Sequence, residues 1–142
     1  MSQYSAILGT GASLPRRAVS NQELTEFLAN KGVETSAEWI ETRTGIKQRY
    51  LCEADETNCQ MASKAALQAL NAAGVFPDQV DLIVLATSTP DQVFPSTACA
   101  VQAEIGAKKA MAFDIQAVCS GFVYALTVAD SMIRSGQVRN AL

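Results

Sequence analysis

Cys119 is followed by Ser120 and Gly121 and stands between two apolar stretches. The first, residues 111–118, is interrupted only by Asp114 and Gln116; the second closes near Ser135 and Gly136. The first is short and meets a small-residue turn, so it reads as a buried strand. The second carries Phe122, Ala125, Leu126, Ala129 and Ile133 at helical spacing, with Val123 and Val128 on its other faces. A helix apolar nearly all round is expected inside a protein. Cys119 therefore falls where a buried strand hands over to the first turn of a buried helix. The first N–H groups of a helix have no partner within it, and the helix dipole adds partial positive charge there. Such a site favours a thiolate and can hold the oxyanion formed when sulfur attacks a carbonyl.

Ala117, Ser120 and Gly121 are small enough for chain and substrate to approach closely, as in a nucleophile elbow. The full G-x-S-x-G spacing is missing, because Ala117 stands at the first glycine position. Two readings stay open: Cys119 as a nucleophile, and Cys119 as a small buried hydrophobe. The chain contains no histidine, so the commonest general base for a cysteine nucleophile is absent from it.

The elements that must position this cysteine are legible along the chain. Residues 4–10 (YSAILGT) read as a short strand running into a small-residue loop at 9–15. The G-x-G there has no third glycine at fingerprint spacing, so a turn is the better reading than a phosphate loop. Ser20 to Glu23 has capping-box form and starts a helix with Leu24, Phe27 and Leu28 that ends near Gly32. A second short helix begins at residues 35–39 and closes before Gly45. Trp39 lies close in sequence to Arg43, Lys47 and Arg49. A lone tryptophan commonly packs, yet beside cations it also suits an anionic ligand with an aromatic ring, such as a nucleotide-tailed cofactor.

Thr57 caps a helix whose buried side is expected to hold Met61, Ala65, Leu67, Ala69 and Leu70, with Gly74 as its stop. After a turn at 77–79, residues 80–87 (VDLIVLAT) read as a strand covered on both faces. The loop 88–95 holds Pro90, Pro95 and Phe94, and Ser96 or Thr97 starts a helix through Ile105, where Cys99 packs inertly. Residues 137–142 look like the entry to another strand. This order predicts an α/β fold with a parallel sheet.

Composition excludes several classes. The 142 residues are 49% hydrophobic and 18% charged, with net charge −3 and no basic tract, which argues against nucleic acid as a partner. No leader peptide is seen and no apolar run reaches membrane-spanning length. Cys52, Cys59, Cys99 and Cys119 form no C-x-x-C pair and read as reduced thiols of a cytosolic protein.

In order along the chain stand Ile7-Leu8-Gly9-Thr10-Gly11, Glu38-Trp39-Ile40 with Thr42-Arg43-Thr44-Gly45-Ile46, Asp81-Leu82-Ile83-Val84, Phe94-Pro95-Ser96, and Ala112-Phe113-Asp114 leading to Cys119-Ser120-Gly121-Phe122. Together they resemble the N-terminal part of 3-oxoacyl-[acyl-carrier-protein] synthase III, over nearly all 142 residues. The resemblance implies the N-terminal half of a thiolase-like fold: a mixed, mainly parallel sheet with helices on both faces. It implies that Cys119 takes an acyl group, typically acetyl, from acyl-CoA as a thioester. Decarboxylation of malonyl-acyl carrier protein would then make a carbanion that attacks this thioester to give 3-oxoacyl-carrier protein. Trp39 would stack on the adenine of coenzyme A, Thr35 would hydrogen-bond beside it and Arg43 would meet a phosphate. Phe94 would cross a homodimer interface to line the partner's acyl pocket. The implied enzyme is cytoplasmic, with acyl-CoA as substrate and no permanently bound cofactor.

The family's catalytic histidine and asparagine belong to its C-terminal half, and no position here corresponds to them. Residues 1–142 therefore read as one incomplete half-domain that would self-acylate slowly and not condense. Missing strands would leave a sheet edge and apolar helices uncovered. Within the same fold, the alternatives are a hydroxymethylglutaryl-CoA, quinolone or polyketide type of synthase. Outside it stands a non-catalytic acyl-CoA-binding or dimerisation fragment.

Overall fold

In the computed structural model, which describes residues 4–142, side-chain hydroxyls start four of the five described α-helices. Ser20 accepts from the Glu23 N–H at 3.1 Å and opens α1 (Asn21–Ala29). Ser36 accepts from the Trp39 N–H at 3.1 Å and opens α2 (Ala37–Thr44). Thr57 and Gln60 form a complete capping box at the start of α3 (Asn58–Ala73). Ser96 accepts from the Cys99 N–H at 3.3 Å and opens α4 (Thr97–Ile105). These bonds satisfy helix-end N–H groups that would otherwise lack partners. Gly45 and Gly74, both at positive φ, end α2 and α3. The chain divides into two compact units, Leu14–Glu56 and a second unit made of residues 4–13 with Thr57–Leu142.

In the Leu14–Glu56 unit, β1 (Arg17–Ser20) runs antiparallel to β2 (Gln48–Leu51), with Arg17 opposite Leu51 and Ser20 opposite Gln48. The sequence reading contains neither strand. Each has four residues and Val19 is the one buried side chain among them, too few for a visible alternation. Asn21, itself buried, donates to the Ile46 carbonyl at 2.7 Å and accepts from the Arg49 guanidinium at 2.7 Å. At the unit's ends Arg16 meets Glu53 at 3.2 Å, Glu56 at 3.5 Å and also Asp55. The hydrogen bond from Arg16 holds the Asp55 carboxyl below its ordinary range.

In the other unit the core lies where α3 and α4 cover β3 (Leu82–Ala86): Leu70, Val80, Ile83, Ala98, Val101 and Ile105 cluster there. Burying each Leu, Val or Ile side chain among them is worth about 1.5–3 kcal/mol. β3 pairs in parallel with β4 (Met111–Ile115), from Leu82 opposite Met111 to Ala86 opposite Ile115. On its other side β3 receives the chain end: Leu142 N–H donates to the Leu82 carbonyl at 2.9 Å, and Val84 N–H to the Leu142 carbonyl at 3.0 Å. The parallel bridge between Leu82 and Ala141 confirms the expected strand entry.

Three expectations are corrected. Residues 4–10 form no strand, because they find no ladder partner among the described residues. Instead this segment lies along α3: a side chain at Gly11 would come within 2.0 Å of the Ala65 carbonyl oxygen, so the glycines serve close packing rather than phosphate. On α3 the buried face is Ser63, Ala66 and Leu70, while Leu67 is 47% exposed. Finally, α5 (Gly121–Arg134) is not a buried helix: only Gly121 is buried on it, and Phe122, Val123, Tyr124 and Leu126 are exposed. The start of α5 packs on β3, where a Cβ at Gly121 would sit 3.1 Å from that of Ala86. Near its end Ser5 donates to Asp130 and the Arg134 guanidinium lies 5.9 Å from the Tyr4 ring centroid, while the large apolar side chains of its first two turns stay bare.

Asp81, just before β3, accepts from the Arg139 N–H at 2.8 Å and the Asn140 N–H at 3.1 Å, which brings the chain end alongside the strand. Those two bonds, the Arg139 one first, hold its carboxyl below its ordinary range. A depressed folded-state pKa stabilises the fold fully above the unfolded value near 3.9, and the gain is lost as pH falls through the folded value. We expect urea midpoints to fall below about pH 4 in the parent chain and less steeply in Asp81→Asn. Equal slopes in the two proteins would rule this contribution out.

Candidate functional site

β4 ends at Ile115, and the chain turns through Ala117 into a single 3-10 turn, Val118–Ser120, before α5 begins at Gly121. Val118 has φ +46°, the single positive φ among the described non-glycine residues. For a β-branched residue that is a true outlier, costing about 1–3 kcal/mol. Its side chain is 78% exposed, so packing does not impose the conformation. The turn pairs Ser120 N–H with the Ala117 carbonyl at 2.9 Å and Gly121 N–H with the Val118 carbonyl. The Cys119 N–H donates to no group among the described residues. The sequence reading expected several free amides here; the 3-10 turn satisfies the later ones and leaves the one on Cys119.

Cys119 is exposed, which removes the reading of a small buried hydrophobe. Ser120 makes no side-chain cap, in contrast to the hydroxyls that open α1 to α4. The other thiols differ. Cys59 donates to the Glu104 carboxylate at 3.3 Å, and burial, followed by that carboxylate, pushes its pKa up. Cys99 points its thiol at the Ala112 carbonyl at 3.5 Å. No group of three or more His, Cys, Asp or Glu side chains among the described residues is arranged to hold a metal ion.

β3 and β4 are parallel neighbours, so the loop 88–95 after β3 and the Cys119 turn after β4 leave the same edge of the sheet. Thr87 N–H donating to the Ile115 carbonyl at 3.2 Å continues the pairing to that edge. Ligands of open parallel sheets bind outside the carboxyl ends of the strands. Two aspartates frame the loop. Asp114 on β4 accepts from Thr97 N–H at 2.8 Å and Ala98 N–H at 2.7 Å, at the start of α4. Asp91 accepts from Asn58 N–H at 2.7 Å and Cys59 N–H at 2.8 Å, at the start of α3, and Asn58 also donates to the Thr89 carbonyl. Phe94 projects from this loop with 89% exposure, next to exposed Val93. Sequence reasoning missed Val118, Asp91 and Asp114. Only the Phe-Asp pair before the turn carries a local signal for one of them.

The Leu14–Glu56 unit has its own open groove of about 700 Å³, lined by Leu24, Leu28, Val33, Thr35, Trp39 and Ile40 with Glu34 and Ser36. Trp39 is 56% exposed, and the Arg43 guanidinium lies 5.9 Å from its ring centroid. Lys47 pairs with Glu41 at 3.5 Å and Arg49 binds Asn21, so neither joins the Trp39–Arg43 pair as the sequence grouping suggests.

A profile of the family described as 3-Oxoacyl-[acyl-carrier-protein (ACP)] synthase III matches residues 113–142, from β4 through the Cys119 turn and α5. The chain is 58% identical over 139 residues to a beta-ketoacyl-[acyl-carrier-protein] synthase III of Bordetella petrii, covering 98% of itself and 42% of that relative. The crystal structure of 3-oxoacyl-[acyl-carrier-protein] synthase III from Aquifex aeolicus VF5 superposes with a TM-score of 0.86 at 49% identity, over 99% of this chain and 43% of that one. This chain is a homologue of 3-oxoacyl-[acyl-carrier-protein] synthase III. The priming beta-ketosynthase from the R1128 polyketide biosynthetic pathway superposes with a TM-score of 0.89 at 40% identity, over 97% of this chain and 40% of that one. The fold is thus the thiolase-like one of these synthases, and the chain spans about two-fifths of their length.

In this synthase homologue the strain before Cys119 has a measurable consequence. Val118→Gly removes the left-handed penalty and loses little burial, so it is expected to raise the unfolding free energy by up to about 1 kcal/mol in urea titrations. A loss of similar size would mean that Val118 is unstrained.

Proposed function

We propose that this chain carries the acyl-accepting half of a 3-oxoacyl-[acyl-carrier-protein] synthase III, with Cys119 as the nucleophile. The sulfur attacks the thioester carbonyl of acyl-CoA, acetyl-CoA first among them. The carbonyl oxygen, now negative, is held by the free Cys119 N–H, and collapse expels the coenzyme A thiolate to leave acyl-Cys119. In the whole enzyme, malonyl-acyl carrier protein loses CO2, and the resulting carbanion attacks the acyl-Cys119 carbonyl. The Cys119 thiolate leaves as 3-oxoacyl-carrier protein forms. Trp39 stacks on the adenine of coenzyme A, Thr35 hydrogen-bonds beside it and Arg43 meets a phosphate. Phe94 lines the acyl pocket of the partner in a cytoplasmic homodimer, which needs no permanently bound cofactor. In this reading residues 1–142 act as a single thiolase-like half-domain.

The observation that supports this reading most is an exposed thiol whose own backbone N–H is free, after a strained residue, in the stretch that resembles the family. The likeness to the R1128 priming ketosynthase favours, as a second reading, the same acyl transfer with a polyketide acceptor in place of the fatty-acid one.

The sequence has no histidine to promote malonyl decarboxylation. The 142-residue chain, incubated with radiolabelled acetyl-CoA, is therefore expected to gain one acetyl group on Cys119, none in Cys119→Ala, and to make no ketoacyl product when malonyl-carrier protein is added. Label elsewhere, or condensation by this chain alone, contradicts the assignment.

A further inference from the structure

The groove beside Trp39 has two walls, Leu24 and Leu28 from α1 and Trp39 and Ile40 from α2. The distance between the two helices sets its width, so whatever fixes that distance governs what the groove can hold. One end of the pair is closed by the chain itself, since residues 30–36 join α1 to α2. The other end has no such connection: α1 leaves β1 there, and α2 runs through Gly45 into β2. The β1–β2 ladder stops at Ser20 opposite Gln48, and beyond it the open ends are tied by Asn21, the buried first residue of α1. Its N–H donates to the Lys47 carbonyl at 3.3 Å, and its side-chain amide to the Ile46 carbonyl at 2.7 Å. From Ile46 the bonds run back into α2. The Ile46 N–H donates to the Thr44 Oγ1 at 3.1 Å, and that hydroxyl donates to the Ile40 carbonyl at 2.6 Å. Ile40 is buried and lines the groove. A continuous path of hydrogen bonds thus leads from the start of one wall into the body of the other, and the bonds of such a path strengthen one another.

We infer that Asn21 is a positioning residue that fixes the spacing of the α1 and α2 walls of the Trp39 groove and thereby sets how tightly the groove holds coenzyme A. The choice of coenzyme A rests on the reading above in which Trp39 stacks on its adenine; the spacing of the walls does not. Asn21 does not line the groove and acts through Ile46, Thr44 and Ile40. Its side-chain oxygen also accepts from Arg49, whose Nη1 is buried without a hydrogen-bond partner among the described residues. Asn21→Ala would strip that guanidinium further. Asn21→Asp keeps an oxygen on Arg49 and turns an oxygen, in place of the N–H, toward the Ile46 carbonyl, so it breaks the path at its first step alone. Thr44→Val removes the hydroxyl in the middle of the path and keeps the shape of the side chain, which guards against a first variant that fails to fold.

Trp39 is the single tryptophan of the chain, so its emission reports the groove directly. That emission is to be titrated with coenzyme A and, separately, with acrylamide in the parent chain, Asn21→Asp, Thr44→Val and Val19→Ala. Val19→Ala is the control: the Val19 side chain is buried in the same unit and takes no part in the path, so its loss loosens the fold and leaves the path intact. The expected result is that half-saturating coenzyme A rises about tenfold in Asn21→Asp and Thr44→Val and stays at the parent value in Val19→Ala. Acrylamide is expected to quench Trp39 more readily in the two path variants and not in the control. A merely structural role would move all three variants alike, or lower their melting temperatures and nothing else. If coenzyme A leaves the parent's emission unchanged while acrylamide still separates the path variants from Val19→Ala, the positioning role stands and the coenzyme reading falls. Half-saturation unchanged in both path variants, acrylamide quenching unchanged in both, or equal shifts in Val19→Ala overturn the inference.

Discussion

The parallel pairing of β3 and β4 is the constraint on which the rest of the candidate site depends. Its register, Ala86 opposite Ile115, ends both strands at one edge and sends two short connections out of it, one bearing Phe94 and the other Cys119. The pairing is stabilised from behind by α3 and α4 over a core of Val80, Ile83, Val101 and Ile105. Asp81 and the chain end close the opposite side of β3. A one-residue slip would move Cys119 along the edge and turn Asp114 away from the start of α4. Register, cap and the placing of the Cys119 turn are therefore one problem with one solution.

Aspartates recur as the devices that hold this solution. Asp81, Asp91 and Asp114 each take two backbone N–H groups, and in each case the N–H groups belong to a segment distant in sequence. Each carboxylate bonds to backbone amides that have no partner within their own stretch of chain. Asp114 stands five residues before Cys119, so the same strand caps α4 and delivers the sulfur. The strained Val118 then lets the chain leave the strand sharply enough that the Cys119 amide escapes the pairing of the following turn.

Much of this was legible in the sequence because it is local. The hydroxyl caps, the glycine stops of α2 and α3, the apolar strand before Thr87 and the strand-to-helix turn at Cys119 all depend on neighbours a few residues away. What the sequence concealed is either too short or too distant. β1 and β2 have four residues each and one buried side chain between them. Asp91 and Asn58 lie 33 residues apart, and nothing in either's neighbourhood names the other. Val118 looks like an ordinary apolar residue, since strain is a property of φ and not of composition. The apolar character of α5 was read correctly and its burial was not, because hydrophobicity states what a face would gain by being covered and not whether it is.

The central claim is that the Cys119 amide is kept free to receive the oxygen of an acyl group on its own sulfur. Residue-resolved amide hydrogen exchange, measured before and after acetylation of Cys119, tests it most directly. The account predicts fast exchange at Cys119 in the free chain beside slower exchange at Ser120 and Gly121, and marked slowing at Cys119 once the acetyl group is on. An amide at Cys119 that is already protected in the free chain, or that exchanges equally fast with the acetyl group in place, would contradict it.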